Sequence, residues 1–248
     1  MIMGAKINGI HTKTGYGLDL LAIEIGIPEP ARKKQQVPGR NFFYTEGVEG
    51  IFEQRTIKLK FDHMDNYSQW IQKIDELSAV VNGKEVKLEL DNAPGYFYCG
   101  IATVSAKKNN GVFSEFTITI LAEPFKTQGT YETVTFNAAT SKVVSVKGHY
   151  ETPCIVEITP TFDISSITLT GIARNPVTKA GEKVIIKNLK NGQKVILDGE
   201  AGTVTQGGQN KFADTEMWEF PSLVPGNNTI TCSSNQCNIT IKYKPRFI

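Results

Sequence analysis

Histidine is scarce in this chain, cysteine and tryptophan are few, and no long apolar run occurs. The three imidazoles, His11, His63 and His149, lie outside any recognisable nucleophile motif, which argues against a Ser- or Cys-based triad. No segment approaches the roughly 18 consecutive apolar residues a membrane span requires. The N-terminus has no basic region followed by an apolar stretch, so a soluble chain without membrane insertion is expected. No Gly-x-x-x-x-Gly-Lys-Ser/Thr occurs, and the glycines at 4, 9, 15 and 17 open no strand-to-helix unit, so nucleotide binding is unsupported. The formal net charge is only +2 and Lys and Arg are scattered among acids, which disfavours nucleic acid as a partner.

The cysteines exclude more than they suggest. Cys99 and Cys154 sit within strand-like runs and read as small buried thiols. Cys232 and Cys237, separated by Ser-Ser-Asn-Gln, either close a hairpin by a disulfide or face each other reduced. No second Cys or His pair lies near them, so neither a zinc site nor any other metal or cofactor is expected. The sequons at Asn66, Asn227 and Asn238 matter only in a secretory pathway and are read as incidental.

A chain of 248 residues favours two domains. Residues 18 to 27 mix apolar and β-branched residues in partial alternation and read as a strand ended by Pro28. From Pro28 to Arg40, three prolines and five charged residues without apolar periodicity read as a long solvated loop, including the basic run Arg32-Lys33-Lys34. A strand follows over 50 to 62, with clean alternation from Ile57 to Phe61. The spacing of Tyr67, Trp70, Ile71, Ile74, Leu77 and Val81 predicts one helix over 64 to 81, capped by Asp65 or Asn66 and closed by Gly83, with Trp70 in packing. Strands at 86 to 90, 96 to 106 and 113 to 121, joined by Gly- and Asn-rich turns, complete an antiparallel sheet or split barrel covered by one helix. That α+β domain spans residues 1 to 126.

Residues 127 to 131 read as a linker to an all-β domain, 132 to 248. There, strands are expected at 132–136, 143–146, 154–159, 164–170, 183–186, 193–197, 202–205, 218–223, 228–232 and 238–243, a mainly β sandwich pattern. The carboxylates Glu182, Asp198, Glu200, Asp214, Glu216 and Glu219 lie mostly beside turns and read as solvated charges, so no catalytic residue is assigned and no enzyme is expected. Alternation from Trp218 places it in the core. The alternative is a carbohydrate-binding module in which Trp218 stacks on a sugar face with Glu216, Asn210 and Asp214 as polar partners.

Several motifs occur together in one order: Val37-Pro38-Gly39-Arg40 after a proline-flanked arm, Arg55 to Phe61, Trp70 on the helix, and Asn82-Gly83-Lys84. Tyr96-Phe97-Tyr98-Cys99-Gly100 and Glu123-Pro124-Phe125-Lys126 complete the series. Over residues 18 to 126 the chain resembles the distal tail proteins of siphophages. The resemblance implies a homo-hexameric ring at the tip of a long non-contractile phage tail. By that resemblance the ring would join the major tail tube protein to the tail-tip protein and to receptor-binding or baseplate proteins, would be assembled in the host cytoplasm and would be retained in the virion. It also implies a galectin-like β-sandwich as the second domain, although the galectin set of sugar-contacting residues is not evident here apart from Trp218. Trp70, Gly83, Tyr96, Tyr98, Gly100, Pro124, Phe125 and Lys126 would then be structural motif residues. A ring closed by heterologous contacts needs strand edges or arms that reach a neighbour. The first strand and the arm carrying Pro28, Pro30, Arg32, Lys33, Val37, Pro38, Gly39 and Arg40 are expected to supply them.

Overall fold

A computed structural model describes residues 4–36, 38–47, 50–63, 67–108 and 114–248. The chain divides into two units, residues 1–129 with 248, and residues 130–247. Both are built almost wholly of antiparallel strands, so the expected mainly β class holds.

The first unit contains β1 (Ala5–Ile7), β2 (Ile10–His11), α1 (Thr12–Tyr16), β3 (Asp19–Ile25), β4 (Lys33–Gln36), β5 (Phe43–Glu46) and β6 (Arg55–His63). It continues through α2 (Tyr67–Val80), β7 (Lys84–Leu90), β8 (Tyr96–Lys108), β9 (Ser114–Ala122) and β10 (Lys126–Gln128). Its main sheet runs β2-β1-β7-β8-β9-β6-β3, with β10 added to β8. Period-2 alternation decides which face is dry: Ile57, Leu59 and Phe61 of β6 lie opposite Ile120, Ile118 and Phe116 of β9, and all six are buried. Leu77 of α2, with Val81 just beyond its end, joins the same core, and Trp70 packs against it with its ring 6.2 Å from that of Phe116. Ile71, expected on the apolar stripe, is exposed. Gly83 has φ +71°, the left-handed conformation expected where α2 ends. The proposed caps Asp65 and Asn66 lie outside the described residues.

The structure departs from the sequence reading in four places here. The supposed loop from Pro28 to Arg40 contains β4, which pairs with β5 from Lys33↔Glu46 to Gln36↔Phe43, so the arm is a β-hairpin. Strand β4, Lys-Lys-Gln-Gln, is wholly polar and takes its ladder bonds from the backbone, so it leaves no apolar alternation to detect. The strand expected from residue 50 begins only at Arg55, because Ile51 and Glu53 instead bond the hairpin base through Ala31 N–H to Ile51 O and Glu53 N–H to Glu29 O. A second helix, α1, is too short for periodicity. The His11 ring caps it by accepting from Lys13 N–H at 3.2 Å, and Gly17 closes it at φ +68°. Thr127 and Gln128, expected in a linker, pair with Phe97 and Tyr96.

The second unit contains β11 (Glu132–Asn137), β12 (Ser141–Val146), β13 (Thr152–Pro160), β14 (Ile164–Thr170), β15 (Val184–Leu189) and β16 (Val195–Asp198). After β17 (Thr203–Gln206) and β18 (Gln209–Asn210) comes a 3-10 turn, Phe212–Asp214, and then β19 (Thr215–Glu216), β20 (Ser222–Leu223), β21 (Gly226–Cys232) and β22 (Cys237–Tyr243). One sheet runs β11-β22-β13-β16-β17-β18, with β20 on β13, and the other runs β12-β21-β14-β15-β19. Their inward residues, such as Val156, Ile158, Ile239 and Ile241 against Ile167, Leu169, Val184 and Ile230, form one buried core, which makes this unit a sandwich. The expected strand over 218–223 is reduced to its last two residues. Met217 and Phe220 pack against the core while Trp218 is 87% exposed, so its assignment to the core is wrong. The segment is irregular, and strand parity does not govern it.

Candidate functional site

Motif residues far apart in sequence meet around one buried cation. Arg55 opens β6 and is only 4% exposed. Its guanidinium donates through Nη2 to the carbonyl oxygen of Pro124 and lies 5.5 Å from the ring centroid of Tyr98. Burial lowers the Arg55 pKa, and the neighbouring Tyr98 partly offsets that effect. Burial raises the Tyr98 phenol in turn. Phe125 packs edge-on to Phe52 at 6.0 Å, and the Lys126 ammonium lies 5.8 Å from the Tyr96 ring. Gly100 belongs to the same region of β8. A Cβ there would sit 2.3 Å from the Leu121 oxygen and 2.5 Å from the Ala122 Cα, so only glycine allows β8 and β9 this approach. The knot holds the end of β9 and the start of β6 to β8.

The second feature is an edge. Among the described residues β3 pairs only with β6. Ile23 and Ile25 lie opposite Leu59 and Ile57, on the face that becomes the core. Yet Ile25 is exposed, Ile27 is 83% exposed, and Leu21, at the bulge between Leu20 and Ala22, is 61% exposed. The apolar face thus runs past the end of its own core. Beyond it, Pro28 is buried and Pro30 bridges to Phe52. The β4–β5 hairpin then projects, with Arg32, Lys33, Pro38, Gly39 and Arg40 exposed. Arg40 lies over the exposed ring of Phe42 at 5.9 Å. Val37 lies outside the described residues. Among those residues β4 and β5 pair with no other strand, and an isolated two-stranded ribbon is marginal in water.

The remaining candidates are dispersed. His11 contacts Asp91 at 3.0 Å, and His149 stands edge-on to Phe247 at 5.6 Å. Cys232 and Cys237 are free thiols with Sγ atoms 3.7 Å apart. Glu216 pairs with Lys187, and Trp218 projects beside it. Asn210 accepts from Phe212 N–H, and Asp214 pairs with Lys211 and Asn188. Among the described residues no group of three or more His, Cys, Asp or Glu is placed to hold a metal, and no helix is long and apolar enough to cross a membrane. Sequence reasoning missed Arg55 as the centre of the knot. Its signal was present, a lone Arg opening a cleanly alternating strand, but its partners come from two distant segments.

The described residues thus form two β units, the first with a buried motif knot and an open strand edge. The model of a family described as "Siphovirus-type tail component, C-terminal domain" matches residues 147–247. No curated protein matches the chain. Among solved structures, the crystal structure of the Dit protein of SPP1, described as a paradigm of the hub adsorption apparatus in phages infecting Gram-positive bacteria, has a TM-score of 0.78. It is 13% identical, with 100% of both chains covered. A chain of the phage P2 baseplate in its activated conformation with Ca is 11% identical, with 99% of this chain and 98% of that one covered. Its TM-score of 0.43 is too low to bear on the fold. The resemblance to the distal tail proteins is thereby borne out: residues 147–247 match the tail-component family model, and the fold along the whole length of the chain is similar to that of the SPP1 Dit protein.

Proposed function

We propose that the chain forms a homo-hexameric ring, the hub at the tip of a long non-contractile tail. The ring joins the major tail tube protein to the tail-tip protein and to receptor-binding or baseplate proteins. It is assembled in the host cytoplasm and retained in the virion, and it has no catalytic role. The observation that carries this reading is the β3 edge, whose core-facing isoleucines continue into solvent. A neighbouring subunit that lays a strand or its β4–β5 hairpin there would complete the ladder and cover the apolar face. Head-to-tail repetition of one such contact closes into a ring when the rotation per subunit divides the circle. The likeness to the SPP1 hub protein supports the same reading.

The test is the mass of the purified chain by light scattering together with negative-stain images. A particle of six subunit masses with a central opening is expected. A monomer at every concentration up to the millimolar range would sink the proposal.

A further inference from the structure

Beyond the hub reading, the second unit carries a cleft whose construction suits a ligand. Met217 and Phe220 pack against the sandwich core and fix their segment, yet Trp218 between them is turned out almost fully into water. Together with the exposed ring of Phe212 on the same cleft, it offers two aromatic platforms to a ligand. Beside it opens a cleft of 640 Å³ lined by Glu182, Lys183, Ile185, Phe212, Glu216 and Trp218. A second cleft of 520 Å³ shares Phe212 and adds Thr203, Thr205, Asn210 and Phe220. Phe212, itself exposed, stacks on Phe220 at 5.9 Å and divides the two. Both volumes are of small-ligand size.

The platform is set in advance. Lys211 is buried, and its ammonium donates to Asn188 O at 3.1 Å and to Asp214 Oδ2 at 2.7 Å, while Asn188 Nδ2 donates to Asp214 Oδ1 at 2.8 Å. Asn210 Oδ1 accepts from Phe212 N–H, and Thr215 Oγ1 donates to Phe212 O. These bonds lock the 3-10 turn where the chain crosses from the edge of one sheet, β18, to the edge of the other, β19. A ligand meeting Phe212 therefore orders little that is not already ordered.

The lining selects among ligands. A protein partner would want a dry centre poor in Lys and Glu, and this cleft holds both. A polyanion would meet Glu182 and Glu216. A pyranose has an apolar C–H face that stacks on an aromatic ring and a rim of hydroxyls that pair with carboxylates, amines and amides. We propose that the paired clefts around Phe212 and Trp218 bind a neutral or N-acetylated oligosaccharide, one ring against each aromatic platform.

The full chain is screened against an array of neutral hexose and N-acetylhexosamine oligosaccharides, with uronic-acid oligosaccharides as the anionic control. Hits are titrated by isothermal calorimetry, which does not depend on the tryptophan that the variants replace. At least one neutral oligosaccharide is expected to bind. Trp218→Ala should weaken it by about tenfold or more, the size of one good stacking contact. Phe212→Ala should weaken it similarly and Trp218→Phe much less. The oligomeric mass and melting curve of Trp218→Ala should match the parent protein, since the side chain is solvated. The proposal is overturned if no array sugar binds, if only uronic acids bind, or if affinity survives Trp218→Ala within twofold.

Discussion

The guanidinium of Arg55 lies over the ring of Tyr98, 5.5 Å from its centroid, and donates to the carbonyl oxygen of Pro124. Through this one side chain the starts of β6 and β8 and the exit from β9 are tied together. The groups replace water around a buried cation, which without them would carry a large desolvation cost.

Arg55→Ala should therefore destabilise the first unit by about 2 to 3 kcal/mol, from loss of the ring contact and the charge-assisted bond together with the void left behind. Urea denaturation followed by near-UV circular dichroism, which reports Tyr98 and Trp70, measures it. A change below about 0.5 kcal/mol, the range of an ordinary surface substitution, would mean the knot is unimportant.

Gly100→Ala tests strand approach. The added methyl would meet backbone atoms of Leu121 and Ala122, which cannot rotate away as a side chain could. Loss of soluble protein or a clear drop in melting temperature is expected, whereas Gly83→Asn should be tolerated because asparagine accepts the left-handed conformation and no atom lies near that Cβ.

At the β3 edge, Ile25→Lys with Ile27→Lys should leave folding intact, since both positions are already solvated, and should abolish the multi-subunit particle. Replacing residues 32–46 by a short Gly-Ser link should do the same if the hairpin is the reaching element. Light scattering separates the two variants, and retention of full particle mass by both would remove the edge from the mechanism.

Glu157 on β13 sits between Lys194 and Lys242, and hydrogen bonds to the two ammonium groups hold its carboxyl below the ordinary glutamate range. A depressed pKa in the folded state means the stabilisation is fully present above the unfolded value, about 4.3, and disappears as pH falls through the lower folded value. Glu157→Gln should flatten that part of the acid limb of the second unit's stability curve without changing its slope above pH 6. An unaltered acid limb in the variant would show that the ion pairs contribute nothing.

Cys232 and Cys237 end β21 and begin β22, which belong to different sheets of the sandwich. The shared hydrogen bond brings the Cys232 thiol down to about 7 and pushes that of Cys237 up, while burial pushes Cys154 up. At pH 8 a mild thiol oxidant such as diamide should join 232 to 237 within one chain and leave Cys154 reduced, as read by peptide mass mapping. A cross-link involving Cys99 or Cys154 would contradict the geometry.

Much of this architecture was legible in sequence because it depends on local periodicity. Ile57, Leu59 and Phe61 alternate because one sheet face is dry, and Leu77 and Val81 recur at helical spacing because one helix face is. The hairpin at 33–46 escaped notice because its ladder is made by the backbone and its β4 strand, Lys-Lys-Gln-Gln, carries no apolar signal. Trp218 was misread because alternation assumes a strand, and this segment turns inward only at Met217 and Phe220.

By itself, then, the sequence determined the two β-rich halves, the α2 helix, the lack of a nucleophile or nucleotide motif, and an order of motifs that resembles the distal tail proteins. Tertiary structure alone decided that Arg55 is the centre of those motifs, that the apolar face of β3 continues into solvent, and that Trp218 overhangs a cleft with Phe212. The physical reason is range. Periodicity reports which face of one element is dry, whereas convergence of side chains from distant segments, and exposure at an edge, depend on how the elements are stacked.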